Sequence, residues 1–484
     1  MPKTTKLGQL QCLPELGVGI IYSPLIEKIA FPDGLLDTLE IEPQTLCIRN
    51  KEDKLIAPRT AFESVAEMPY HKLVHSIGAP VGGGLAPAEE QLALIRYATE
   101  LFQSPWVTEH LSFNATTEFN TGFFLPPCQT EKGLQQAINN VQQLQNAIGV
   151  PIAVETGVNY LRPNDREIPD GQFVAELCQR TGCGILLDIH NLFANQLNGR
   201  QGIKAFLEQI PLEHVVEIHI AGGTELNGLW MDSHSGPIDE RLLAITREIL
   251  PDLPNLKQIT YEIFDSYIPV VGDRTIIREM ENVRNLWENR KTAYTIPETK
   301  QMPREVIAVQ KMNSELEPEQ WERILGSLVI GKPTENLGYD DRARVDTYQY
   351  LIREFRASMI ARIFKLTTRY MMLVLGKEAF VVVLRDFWSG CAPEQLSYKE
   401  ALNFSDYLFE KNFKLPWLFR LLKYEVAVLR TLMDNELRIV HFDADPTPMF
   451  NALSQGKLPD QIGTVGNYEV EVLPEREKTT WVTV

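Results

Sequence analysis

VPIAVET (150–156), CGILLDI (183–189), HVVEIHI (214–220) and KQITYEIF (257–264) are four short apolar runs. Each carries a carboxylate or an imidazole at or near its end: Glu155, Asp188, His219 and Glu262. Strands buried on both faces read as nearly continuous apolar runs, because neither face meets water. A titratable group repeated at the end of such runs marks one end of a sheet as chemically special.

Four earlier runs read the same way: LGVGIIY (16–22), LDTLEIE (36–42), KLVHSIG (72–78) and WVTEHLSF (106–113). His75 and His110 lie in the last two. Between the runs lie helical patterns, clearest over 89–103 and 131–149, with apolar residues three and four apart. Both begin with glutamate, which suits the positive end of a helix. Eight strand–helix units within about 15–290 predict a TIM (β/α)8 barrel; an open doubly wound sheet is the alternative. The polar residues favour the barrel, whose catalytic groups come from the C-terminal ends of several strands. Here the third to eighth strands each deliver one.

At 484 residues the chain exceeds the usual size of a single core. The expected division is a barrel over 1–290, a linker with a short helix over 291–342, and a mainly helical domain with an extended tail over 343–484. The linker holds Pro297, Pro303, Pro318 and Pro333 around MNSELEPEQWER (312–323), with a helix expected at 318–328. Beyond it, 348–376 reads as one long or two consecutive helices stopped by Gly376. Helices follow at 377–390, 397–412 and 416–434, the last with Pro416 in its first turn. LRIVHFDAD (437–445) and GNYEVEVL (466–473) read as short strands or an extended tail. The aromatics of these helices follow helical spacing, which points to core packing rather than to a cofactor box.

The net charge of −17 argues against general binding to a nucleic-acid backbone, and no apolar run is long enough to span a membrane. The N-terminus lacks the apolar core of a secretory signal. Six cysteines without CxxC spacing suggest a reducing, cytoplasmic setting.

The candidate metal ligands are His75, His110, Glu155, Asp188, His219, Asp232, His234 and Glu262. Asp232 and His234 form a D-x-H pair in the loop after the seventh strand. His190, Asn191, Glu109 and Glu217 are candidates for additional or supporting roles. Neighbours in a strand face opposite ways, so His110 is expected to face the centre and Glu109 to support it. His190 shares the face of Asp188 if that strand continues. Singly, each group has a plain structural reading, such as capping the following helix. Together, buried carboxylates need compensating cations. Mixed imidazole and carboxylate donors suit Fe, Mn or Zn, and eight exceed the four that one zinc takes. A metal-free acid–base site or polar network is the other reading of the residue types alone.

The motifs TEHLSF (108–113), LPPCQTEKGL (125–134), VETGVNYL (154–161), RTGCGILLDIHNLF (180–193), EIHIAGG (217–223), DSHSGPI (232–238) and YEIF (261–264) resemble the multinuclear non-heme iron-dependent oxidative enzymes. The resemblance covers about 15–290. It implies a TIM barrel with two or three irons in a mixed Fe2+/Fe3+ state. It also implies dioxygen as oxidant and a cysteine-containing, ribosomally made precursor peptide as substrate. The eight candidates fall on the positions the resemblance makes metal-binding.

There are departures. His190 stands where many members have asparagine, Gly223 where the family often has histidine, and Thr156 where it has asparagine. LEIEPQTL (39–46) differs from the family's second strand. Residues of about 345–435 resemble the helical part of the partner proteins that accompany these enzymes, which implies a fused substrate-engaging domain. Two rival readings stand beside this one: a divalent-metal hydrolase or isomerase on the same barrel, and a non-catalytic peptide-binding or scaffold protein.

Overall fold

A computed structural model describes residues 6–50, 52–293, 309–312, 315–338, 340–474 and 481–483. The linker prolines Pro297 and Pro303 lie outside these residues.

Eight parallel strands close into a barrel. In chain order they are β1 (Gly17–Ile21), β2 (Thr38–Ile41), β3 (His71–Ser76), β4 (Val107–His110), β5 (Ile152–Glu155), β6 (Gly184–Asp188), β7 (Val215–Ala221) and β8 (Gln258–Glu262). Each pairs with the next, and β8 returns to β1 through Gly17↔Gln258 and Ile20↔Tyr261. Closure excludes the open sheet. The apolar runs are explained by burial on both faces: Val18, Ile20, Ile152, Val154, Ile185, Leu187, Ile218, Ile220 and Ile259 are all inaccessible.

The expected helices stand at α1 (Glu89–Phe102) and α2 (Glu131–Ile148). Thr130 caps α2 by accepting the Gly133 N–H at 3.3 Å, and Gly149 ends it in the left-handed conformation. Gly133 itself is enforced by space, since a Cβ there would lie 1.8 Å from the Cys128 carbonyl oxygen. Farther along, α3 (Ile189–Leu197) starts at once where β6 ends, and α4 (Asp273–Glu288) closes the barrel's outer layer.

Two hairpins stand on the C-terminal rim. Phe113–Ala115 pairs with Asn120–Leu125 after β4, and Thr224–Leu226 pairs with Leu229–Met231 after β7. The second turns through Asn227-Gly228, both with positive φ, as a type I′ turn requires.

The rest is mostly helical: α5 (Pro318–Val329), α6 (Arg342–Ile363), α7 (Lys365–Leu375), α8 (Lys377–Gly390), α9 (Ser397–Lys411) and α10 (Leu418–Asp434). The 348–376 pattern resolves into two helices broken at Phe364. The last begins at Leu418 with Trp417 as its cap, so Pro416 precedes the helix instead of filling its first turn. The aromatics do pack a core, with Phe364, Phe387, Phe404 and Leu421 buried together. Arg438–Ala444 and Val465–Val472 form an antiparallel pair, with a short helix, Thr447–Ser454, between them. Near the end of the chain, Trp481–Thr483 adds to the hairpin strand Leu55–Pro58.

A separate cluster joins rim to helices. Phe113, Leu125, Tyr160, Leu229 and Met231 of the barrel loops pack with Trp321 and Ile324 of α5 and with Tyr348 and Ile352 of α6. The helical region therefore sits on the end of the barrel where the strand-end carboxylates and imidazoles lie.

Candidate metal centre

Parallel register lines up the strand ends. His110 faces Glu155 across β4 and β5, Asp188 faces His219 across β6 and β7, and Ala221 faces Glu262 across β7 and β8. All eight expected ligands meet at the C-terminal mouth of the barrel.

Four overlapping groups have ligand atoms within 4.8 Å of one another: Glu40–His75–His219, His75–His110–Glu155, Glu155–Asp188–His219 and Asp188–His234–Glu262. Glu155 Oε2 lies 3.4 Å from His75 Nε2 and 3.3 Å from His110 Nε2. His219 Nδ1 is 3.1 Å from Glu262 Oε1, and His234 Nε2 is 2.7 Å from Asp232 Oδ1 and 3.5 Å from Glu262 Oε2.

Buried polar atoms nearly always find hydrogen-bond partners. Here Glu155 Oε2, Asp188 Oδ2, His219 Nδ1, Asp232 Oδ1, His234 Nε2 and Glu262 Oε2 have none of good geometry. Unpaired donors of opposite charge that converge at one place fit cations held between them. The donor set, imidazole and carboxylate without cysteine, fits iron.

The second atoms of these groups are held. His75 Nδ1 is 2.7 Å from the Thr108 hydroxyl. Asp188 Oδ1 accepts the Asn191 N–H at 2.8 Å, so Asp188 both caps α3 and leaves one oxygen free. Such contacts fix ligand orientation.

Glu109 is tied to the strand ends around His110. It accepts from the Ser76 hydroxyl at 2.6 Å and the Ala79 N–H at 2.9 Å, and its other oxygen stands 3.4 Å from His110 Nδ1. Glu217 lies on the floor, bound by Trp106 Nε1 and Gln258 Nε2, each at 2.9 Å. Asn191 reaches toward Glu155 through Nδ2 at 3.5 Å. The strand does not continue past Asp188, so His190 reaches the site from the first turn of α3 rather than from a strand face. The two departures His190 and Gly223 meet in space, as a Cβ on Gly223 would lie 2.6 Å from His190 Cε1.

Sequence reasoning missed Glu40. It is fully buried, 2.9 Å from His219 Nε2 and 3.5 Å from His75 Nδ1. The signal was the alternation LEIE in the second run, which puts a carboxylate inside an otherwise apolar strand. Glu42 was missed too; burial pushes it up to about 7.

The electrostatics follow the geometry. Burial raises Glu155, raises Asp188 strongly, and takes Glu217 to about 8. Burial opposes charge on His110 and His234, yet Glu155 lifts His110 to about 9, and Glu262 with Asp232 lifts His234 to about 10. His75, buried among other imidazoles, is held well below the usual range.

The site is graded from floor to mouth. Glu40 and His219 are inaccessible, while the Asp232 side chain is 28% exposed. Phe124 stacks on His110 at 4.1 Å, and half-exposed Phe264 covers His234 at 4.5 Å. His234 takes a positive φ of 39°, a strained backbone for a non-glycine residue and a frequent mark of functional sites.

A family model described as "RiPP precursor modification enzyme MbnB/TglH/ChrH" matches residues 17–288, more than half of the chain. The chain belongs to this family. It is the family of iron-dependent enzymes that the motifs resemble, and the match spans the whole barrel. Proteins of similar sequence include a UPF0276 protein of Streptomyces avermitilis, 31% identical over 250 residues, covering 50% of each chain. Another, from Chromobacterium violaceum, is 33% identical over 177 residues, covering 37% of this chain and 64% of its own. The chain thus spans half to two thirds of the length of these relatives. Among solved structures, D-psicose 3-epimerase from Clostridium cellulolyticum H10 aligns over 57% of this chain and 99% of its own, at 12% identity and a TM-score of 0.37. No helix among the described residues is long and apolar enough to cross a membrane.

Proposed function

We propose that this RiPP-modification enzyme oxidises a cysteine of a precursor peptide with dioxygen. The centre is two or three irons, partly ferrous, held by His75, His110, Glu155, Asp188, His219, Asp232, His234 and Glu262, with Glu40 as a further donor. One observation carries the reading: unpaired buried donor atoms on six of these side chains converge at the barrel mouth.

When bound, the irons supply redox chemistry with dioxygen and a binding point for a thiolate. The chain's own residues do the rest. Glu40 holds the imidazole of His219 through Nε2 and leaves Nδ1 turned toward Glu262. Glu109 fixes His110, and Thr108 fixes His75. Phe124 and Phe264 flank the more exposed donors and exclude water from one side of each ring.

The division into a barrel at 1–290, a linker at 291–342 and a substrate-engaging domain at 343–484 is part of the proposal. Packing of α5 and α6 on the rim loops supports it, since a peptide held by the helical region lies next to the metal mouth. Six free cysteines support a reducing, cytoplasmic setting.

The test is anaerobic protein loaded with ferrous iron, given a cysteine-bearing precursor peptide and then dioxygen. Oxygen uptake with a mass change confined to cysteine supports the reading. Turnover that ignores oxygen overturns it.

A further inference from the structure

Gly223 follows β7, and its backbone does not demand glycine, because its φ lies outside the left-handed region. Space demands it. A Cβ there would stand 2.6 Å from His190 Cε1 and 2.3 Å from Trp230 Nε1. Real carbon atoms do not approach so closely, so the volume of a side chain at 223 is given over to the His190 ring and the Trp230 indole.

His190 is fully buried, and neither ring nitrogen has a hydrogen-bond partner of good geometry. A buried polar group left in this way is costly to the fold, and a histidine placed only for packing has no reason to bear that cost. The Ala221 carbonyl is close but outside hydrogen-bonding geometry. Nε2 points toward Asp232, with Oδ1 at 3.8 Å, and the ring stands edge-on to His234 with centroids 6.1 Å apart. A separation of 3.8 Å is too long for a hydrogen bond. It suits two donors on one cation, each at roughly 2.0–2.2 Å. Asp232 Oδ1 is itself unpaired.

We propose that His190 is a metal ligand sharing an ion with Asp232 at the outer end of the centre, and that Gly223 is the space that admits its ring. The inference rests on the metal-centre reading and adds a donor to it from a helix, where the others come from strands and loops.

The test counts iron. Wild type, His190→Ala, His190→Asn and Gly223→Ala are loaded with ferrous iron without oxygen, checked for native circular dichroism, and titrated with a chelator. Folded His190 variants are expected to lose about one iron per chain, or to hold it at least roughly ten- to a hundred-fold more weakly, with a changed Mössbauer spectrum. Gly223→Ala is expected to do the same by displacing the ring. The double variant His190→Asn with Gly223→His, which returns an imidazole to the same space, is expected to regain the iron. Wild-type iron content and an unchanged spectrum in folded His190→Ala or His190→Asn overturn this inference alone. Wild type that binds no iron overturns the metal-centre reading, and this inference with it.

Discussion

Tyr348 of α6 and Tyr160 of the loop after β5 form a relay from the helical region to the metal mouth. The Tyr160 N–H donates to the Tyr348 hydroxyl at 3.1 Å, and the Tyr160 hydroxyl accepts the Asp232 N–H at 2.9 Å. Their rings meet edge to face at 5.2 Å, and both are buried. Arg344 of the same helix donates to the Tyr160 carbonyl at 3.2 Å. The helix beyond the barrel thus fixes the loop that presents Asp232.

Tyr348→Phe keeps the ring contact and removes the acceptor. It is expected to destabilise the fold by about 1–3 kcal/mol, the cost of an unsatisfied buried N–H. It is also expected to weaken metal at the Asp232 end. Urea denaturation and iron content of the same preparation check both. Unchanged values in each would show that the relay does not hold the loop.

Glu40→Gln replaces a fully buried carboxyl group that His219 and His75 both face. Iron retention is expected to fall roughly ten- to a hundred-fold, read by chelator competition. Glu40 is where the sequence was least legible. The barrel could be read because double-sided burial writes apolar runs, and six strand ends carried a group too polar for their run. Glu40 is equally inward, but it sits one residue before its strand's end and two before Glu42, so the pattern alone did not choose between them. The rim hairpin that presents Asp232 and His234 was hidden because its strands, Thr224–Leu226 and Leu229–Met231, are only three residues each, too short for a strand pattern to stand out around Asn227-Gly228. His190 was ambiguous because its position depends on where β6 ends, and one residue decides between a strand face and a helix turn.

The metal-free protein is expected to lose stability as pH rises from about 7 to 10. Its raised groups, Glu217 at about 8, His110 at about 9 and His234 at about 10, have folded pKa values above their unfolded ones. Such groups stabilise fully below the unfolded pKa and lose that contribution as pH climbs through the folded value. Asp232, lowered to about 2 chiefly by His234 against the effect of burial, acts only in acid. Bound metal replaces the protons of His110 and His234 and is expected to flatten the slope. Melting temperatures at pH 6.5 and 9, with and without ferrous iron, provide the check. Parallel slopes would count against it.

Phe264→Ala uncovers His234 without touching a donor atom. Iron content is expected to stay at the wild-type level while KM for the peptide rises about five-fold, the equivalent of roughly 1 kcal/mol of lost aromatic contact. A fall in kcat with KM unchanged would place Phe264 in the chemistry rather than in peptide binding.

The most direct measurement is the metal content of protein purified without added metal and kept anaerobic, by elemental analysis with Mössbauer spectroscopy. Two or three coupled irons per chain, partly ferrous, are the expected result. A single zinc, or no metal after reconstitution with ferrous iron, would contradict a multinuclear iron centre at the barrel mouth.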